Sequence, residues 1–320
     1  MNGANAKAAA AAQRPRQGRW YKFKKNFPVH KYYYLLILPG LAALLVFRYI
    51  PMVGVIIAFK DFKIAEGIFG SQWVGTKWFE MLFSNAEFSN VLFNTIYISL
   101  LKLIFSFPAP ILLALMINEV SHVKFKKVVQ TTVYLPHFIS VVVVVGMLEA
   151  MLDTSDGVVN NLIRANGGSP INFFGDPRYF RPLYVGSGIW QSFGWNSIIY
   201  LAALTNADPA LYEAARIDGA NRWQQTVHIS IPCILPTMII LLIMQLGNTM
   251  SVGYEKIILM YESSTYEVAD VISTYVYRRG IEGGQFSFAT AVGLFNSVIN
   301  LVLLISVNAL SRRLSEVSLW

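Results

Sequence analysis

Six stretches of this chain are long and apolar enough to cross a lipid bilayer, and that leaves few folds open to it. A helix rises about 1.5 Å per residue, so a hydrocarbon layer about 30 Å thick calls for roughly 20 mostly apolar residues. Residues 32–59, 88–118, 128–152, 183–205, 231–252 and 288–310 meet that requirement. The expected fold is therefore all-α: a polytopic membrane protein of about six transmembrane helices. Composition agrees, with 55% hydrophobic and only 14% charged residues, against about 25% charged in soluble domains. Pro39, Pro51, Pro108 and Pro110 interrupt the first two stretches, so kinks or tilt are expected there.

The net charge of +8 raises nucleic acid as a partner, and the distribution of the charge argues against it. Residues 1–31 hold eight cations and no acid. The apolar run that follows is too long for a signal-peptide core, so 1–31 reads as a retained, disordered cytoplasmic tail. With that tail inside, 15 cations lie in cytoplasmic segments and nine outside, whereas the acids number five inside and 12 outside. This is the positive-inside pattern, in which basic residues near span ends meet anionic headgroups. Both termini are then cytoplasmic, with residues 32–312 forming the membrane domain and 313–320 a short tail. Membrane lipid, not nucleic acid, is the expected contact of the basic residues.

A single cysteine, Cys233, excludes a disulfide framework. None of the four histidines sits at a metal-ligand spacing, no nucleophile–base arrangement is visible, and there is no phosphate-binding GxxxxGK[ST] loop. Neither a metal nor a catalytic residue is expected, and the chain has no means of its own to hydrolyse ATP by that route.

The hydrophilic connection 206–230 is the most informative segment. Asp208 suits a helix N-cap and Pro209 the first helical position. Gly219 supplies a residue at which such a helix ends or bends, and Trp223 and Val227 mark a second helical face. A short two-part helix with small alanines on one side suits docking into a groove of another protein. An ordinary connection lying on the membrane surface fits the periodicity equally well.

Glu213-Ala214-Ala215, then Asp218-Gly219-Ala220, then Ile229, Pro232 and Pro236 resemble the cytoplasmic loop of the permease subunits of ATP-binding-cassette (ABC) importers fed by a binding protein. Ile231 stands where that family usually has leucine. Resemblance of this kind implies the type I importer permease fold, with the loop as a coupling helix seated in a cleft of an ATPase subunit. Weaker matches favour the carbohydrate-uptake branch, the maltose-type superfamily: Tyr49-Ile50-Pro51, Trp73-Val74-Gly75, Asn94-Thr95, Phe125-Lys126-Lys127 with Leu135-Pro136, and Gly194-Trp195. The implied partners are a second, distinct permease in a heterodimer, two copies of an ATPase subunit that carry the ATP and magnesium, and an extracellular sugar-binding protein. A bacterial plasma-membrane location and oligosaccharide import follow from the same resemblance. A non-sugar solute, or an ion-coupled secondary transporter, is the alternative; the latter calls for intramembrane carboxylates, of which only Glu149 is present.

Sugars present hydroxyls and apolar C–H faces, so a sugar path needs amides beside aromatic rings. Trp190, Gln191, Trp195, Asn196 and Tyr200 lie together in the fourth stretch, and Gln245, Asn248 and Asn296 add amides in the fifth and sixth. Membrane-interface aromatics and helix-bridging amides have the same composition. Lys102 is the deepest charge in any span, a candidate contact for an acidic sugar or a partner carboxylate.

Overall fold

The structure, a computed structural model, describes residues 19–314. Residues 1–18 and 315–320, which hold most of both expected tails, lie outside the described residues. The chain divides into two units, Met1–Ile56 and Ile57–Trp320.

Helix α1 (Arg19–Leu44) of the first unit passes into a π-helical turn, Leu45–Tyr49, and then a 3₁₀ segment, Ile50–Phe59, whose last three residues belong to the second unit. Among the described residues, helix is therefore present from Arg19 onward, inside the stretch read as a disordered tail. The π turn has a sequence cause. Pro51 lacks an N–H and its ring crowds the carbonyl four residues back, and a widened turn just before it relieves both. The same pairing recurs at Lys102–Ser106 before Pro108 and at Thr226–Ser230 before Pro232.

The second unit opens with a two-stranded antiparallel ribbon, β1 (Lys60–Asp61) with β2 (Gln72–Trp73). Helix α2 (Lys77–Ser84) leads into α3 (Ala86–Leu101), and α4 (Pro108–Glu119) continues it beyond the π turn. Then come α5 (Val123–Tyr134), α6 (Val141–Leu152), the short α7 (Val158–Ala165) and the long α8 (Pro177–Leu204). After the hydrophilic connection come α9 (Pro209–Ile217), α10 (Arg222–Gln225), α11 (Ile231–Gly247), α12 (Tyr254–Met260), α13 (Ile272–Tyr277) and α14 (Phe286–Leu314).

Among the described residues, four helices are long and apolar enough to cross a membrane: His30–Phe59, Ala86–Glu119, Arg222–Gly247 and Phe286–Arg313. Two of the six expected stretches depart from a simple span. The third, 128–152, is a pair of helices bent by 98° between Val123–Phe138 and Val141–Leu152. Pro136 starts a 3₁₀ turn there, and the Ser140 hydroxyl caps the next helix by accepting from Val143 N at 3.3 Å. The fourth, α8, has 28 residues, ample length to cross, but Arg178, Arg181, Gln191, Ser192 and Asn196 make it too polar to count as an apolar span. Its polar side is what the site below uses.

Packing around α8 is close. A Cβ on Gly194 would meet the Val133 carbonyl oxygen at 1.9 Å, so the two backbones pass in contact and only glycine fits. Such small-residue crossings are how membrane helices approach without a water-driven force between them. One core cluster joins Ile98 of α3, Val145 of α6, Phe180 and Tyr184 of α8, and Ile257 and Met260 of α12. A second joins Leu82, Phe88, Ile272, Tyr275 and Phe288.

Polar residues of α3 hold the 249–272 segment in place. Buried Asn94 donates to the carbonyls of Glu267 and Asp270 and accepts from Arg181 at 2.8 Å. Thr95 accepts from Ile272 N at 3.0 Å, and Ser99 donates to the Thr249 carbonyl. Arg278 bridges Glu87 at 2.9 Å and also pairs with Asp270, while Arg279 pairs with Glu87. These contacts fix the chain from which α12 starts.

Candidate functional site: a capped loop and a polar cavity

Two sites carry the residues singled out in the sequence. The first is the connection after α8. Asp208 Oδ1 accepts from Ala210 N at 2.9 Å, and Pro209 occupies the first turn of α9, as its fixed φ favours. At the other end, Gly219 has φ +78°, Ala220 N donates to Ala215 O at 2.8 Å, and Gly219 N donates to Arg216 O at 3.1 Å. That pair of bonds is a Schellman closure. Immediately beyond it, Asn221 and Gln224 form a reciprocal capping box that starts α10. Buried Gln225 donates to the Ala220 carbonyl at 2.8 Å and closes the corner between the two helices.

This corner is also fastened to the helices beside it. Arg222 reaches Glu119 at the end of α4 at 3.1 Å, and the Tyr212 hydroxyl lies 2.9 Å from that of Ser230. Glu213 lines a cavity of about 290 Å³ with Glu119, Tyr212, Arg216 and Arg222. Its carboxylate has no hydrogen-bond or ion-pair partner among the described residues. Ala214 and Asp218 are exposed beside it. Ile217 and Trp223 expose 86% and 73% of their surface.

The second site is a cavity of about 430 Å³ between four segments. The π turn after α3 contributes Lys102 and Ser106; α8 contributes Tyr184, Gln191, Ser192 and Asn196; the end of α11 contributes Gln245 with Asn248; and the start of α12 contributes Lys256. Of the nine candidates for a sugar path, Lys102, Gln191, Asn196, Gln245 and Asn248 are brought together here. The other four lie elsewhere. Trp190 lines a separate apolar cavity of about 470 Å³ with Val144, Met147 and Met151. Trp195 stacks on His137 at 4.6 Å and meets Phe138 edge-on at the bend of the third stretch. Tyr200 is 2% exposed and packs with Ile111, Ala114, Leu204 and Ile234, so it belongs to the core. Asn296, on α14, does not line the cavity, and its buried Oδ1 has no partner among the described residues.

Sequence reading missed Lys256. It follows directly on the fifth stretch, and charge counting places it in an external loop, yet it is 8% exposed and its ammonium donates to the Tyr184 carbonyl at 3.2 Å. Burial and, after it, the charge of Lys102 hold its pKa down at about 8. The signal was the apolar neighbourhood, Ile257-Ile258-Leu259-Met260, which a solvated loop would not have. No group of three or more metal-ligating side chains occurs among the described residues.

Comparison with known proteins agrees with this geometry. Residues 106–316 match the family described as "Binding-protein-dependent transport system inner membrane component". The chain is 46% identical over 290 residues to the polygalacturonan/rhamnogalacturonan transport system permease protein YteP of Bacillus subtilis (strain 168), covering 91% of this chain and 90% of that protein. It is 42% identical to protein LplB of the same organism, covering 91% of each. Among solved structures, a chain of a bacterial alginate ABC transporter, in complex with its alginate pentasaccharide-bound periplasmic protein, superimposes with a TM-score of 0.85. That chain is 44% identical, and the match covers 94% of this chain and 99% of that one. The fold is that of type I importer permeases, and the chain belongs to the inner-membrane components of binding-protein-dependent transport systems.

Proposed function

We propose that this chain is the transmembrane subunit of an ABC importer and forms the path by which an oligosaccharide, delivered by an extracellular binding protein, crosses a bacterial plasma membrane. One observation carries the reading. The connection 206–230 is a rigid, doubly capped corner that leaves Glu213 unpaired and Ile217 and Trp223 uncovered. A corner of this kind transmits force. The partner that fits it is an ATPase subunit, present in two copies and carrying the ATP and magnesium, with α9 seated in its cleft. Both termini are then cytoplasmic, and a distinct sister permease completes a heterodimer.

The mechanism follows from linkage. Closure of the ATPase pair shifts the permease toward an outward-open state only if the docked corner binds the two states with different free energy. A floppy loop would absorb the movement. The Schellman closure and the capping box prevent that, so displacement of α9 reaches α11 through the π turn Thr226–Ser230.

The test is the full complex with Glu213→Ala in this subunit. Expected are normal membrane insertion and assembly, loss of cargo-stimulated ATP hydrolysis and loss of uptake. Wild-type uptake with normal stimulation would overturn the assignment of α9 as the coupling element.

A further inference from the structure

Beside the polar cavity, with Val185 of α8 common to both linings, lies a larger groove of about 640 Å³ between α8 and the α3 segment with its π turn. Its polar groups gather toward the Pro177 end of α8. There the half-buried Arg181 donates through Nη2 to Asn94 Oδ1 at 2.8 Å and through Nε to the Val268 carbonyl at 3.2 Å. Its guanidinium carbon lies 4.5 Å from the centre of the Tyr97 ring. All three partners are neutral, so they position the charge without balancing it. Arg181 has no ion-pair partner among the described residues, and its Nη1 no hydrogen-bond acceptor. The neighbouring cations differ: Arg178 pairs with Asp176, and Arg278 takes Asp270 on the segment that Arg181 touches. Further along both chains the lining is Leu101, Phe105 and Ile189, which have no polar side-chain atom. From Arg181 to Ile189 the helix rises about 12 Å, most of the roughly 15 Å of hydrocarbon in one leaflet.

We infer that this groove is a lipid site, in which an anionic glycerophospholipid of the leaflet opposite the 206–230 loop sets its phosphate on Arg181 and an acyl chain along Leu101, Phe105 and Ile189. The site is independent of which solute the chain carries. An occupant must be anionic at one end and apolar along the rest, in the direction that a lipid lies in its leaflet. Phosphate oxygens accept short, charge-assisted bonds from a guanidinium, and basic pockets between membrane helices select such headgroups. A partner helix in the groove would need a carboxylate at this depth, which membrane spans rarely carry. Free phosphate would leave the apolar length of the groove unfilled. Because Val185 belongs to both linings, the acyl chain also backs one wall of the polar cavity.

The test uses the assembled complex in phosphatidylcholine vesicles that contain a small share of one photoreactive probe. The two probes are phosphatidylglycerol and phosphatidylcholine, each with a diazirine midway along one acyl chain, and the labelled peptides are mapped by mass spectrometry. Expected is labelling of 97–105 and 181–189 by phosphatidylglycerol, with roughly tenfold less from phosphatidylcholine. Arg181→Gln should remove that preference and Arg181→Lys should keep most of it. Gly186→Leu should weaken labelling by both probes while leaving the Arg181 contacts in place. Gly186 lines the groove, and a Cβ there meets nothing within 4 Å, so the new side chain has room to grow. Equal yields from the two probes in wild type overturn the inference, and so does a preference that survives Arg181→Gln. If the Arg181 variants do not assemble, the wild-type comparison of the two probes decides alone. Displacement of the lipid probe by glycerol 1-phosphate would reduce the site to a phosphate pocket and overturn the groove. Cross-links from a photoreactive residue at Phe105 that reach the sister permease and not lipid would show the groove covered by protein, which overturns it as well.

Discussion

The capped loop and the polar cavity are built in opposite ways. The capping contacts that set the loop corner, from Asp208 to Gln225, join residues within six positions of one another, and the Arg222–Glu119 and Tyr212–Ser230 contacts only fasten that corner to its neighbours. The cavity draws on residues from 102 to 256, carried by four segments that meet only when the chain folds. A local device keeps its geometry when its surroundings shift, which a part that must move as a unit requires. A cavity assembled from distant segments changes shape when those segments move, which suits the cargo path proposed above.

Gly219 is where the local device is most exposed to damage, and it offers the largest expected effect. Its φ of +78° lies far from the roughly −65° that proline imposes, and Gly219→Pro also removes the donor to Arg216 O. Uptake by the complex should fall to background while the subunit still inserts and assembles. Gly219→Ala, which must adopt the left-handed region at a cost of about 1–2 kcal/mol, should leave measurable uptake with a lower thermal-inactivation temperature. If both variants behave like wild type, the corner does not transmit force.

The distributed cavity should instead respond to pH. Lys256 faces Lys102 and the ring and carbonyl of Tyr184, and its pKa is depressed to about 8 by burial and then by Lys102. Below that value it is charged; above it, each pH unit removes about tenfold of the charged form. The depressed value also means that the fold disfavours this proton, so the cost to stability is present below about pH 8 and is relieved as pH rises toward the unfolded-state value. The thermal-inactivation temperature of the assembled complex should therefore rise between about pH 8 and pH 10. Lys256→Met should flatten that rise, and a wild-type profile already flat from about pH 7 to 10 would mean that burial does not hold the Lys256 proton down.

The same contrast explains what could be read in the sequence. Asp208, Pro209 and Gly219 announce their own backbone conformations through short-range chemistry, so the loop was legible residue by residue. Apolar length gave the spans. It did not show the bend in the third stretch, where Pro136 and Ser140 together turn the chain, whereas prolines at 51, 108 and 232 are absorbed by π turns without ending the helix. The cavity was half legible. Amides and Lys102 stood out as polar groups in apolar segments, but Tyr200 has the same composition signal and faces the core, and Lys256 was hidden by its position just beyond a span. Which face a residue occupies depends on neighbours far away in the chain.

A moderate effect is expected at Asn221. Its side chain accepts from Gln224 N at 2.9 Å as half of the capping box, and Asn221→Ala should cost about 1 kcal/mol of local stability. In the assembled complex this reads as a lower ratio of uptake to ATP hydrolysis, since a looser corner loses part of each stroke. An unchanged ratio with a lowered thermal-inactivation temperature would assign the capping box to stability alone.

Tyr200 gives the smallest effect and the sharpest distinction between core and path. Its ring is 2% exposed among Ile111, Leu204 and Ile234, and its hydroxyl has no protein partner among the described residues. That hydroxyl is not among the fully buried unpartnered atoms, so removing it while keeping the ring leaves the packing in place and changes stability little. Tyr200→Phe should therefore leave uptake within about twofold of wild type and the thermal-inactivation temperature nearly unchanged. A selective loss of uptake with an intact complex would mean that the hydroxyl meets cargo in another state of the cycle, and that α8 rotates enough during transport to bring a core residue to the cavity.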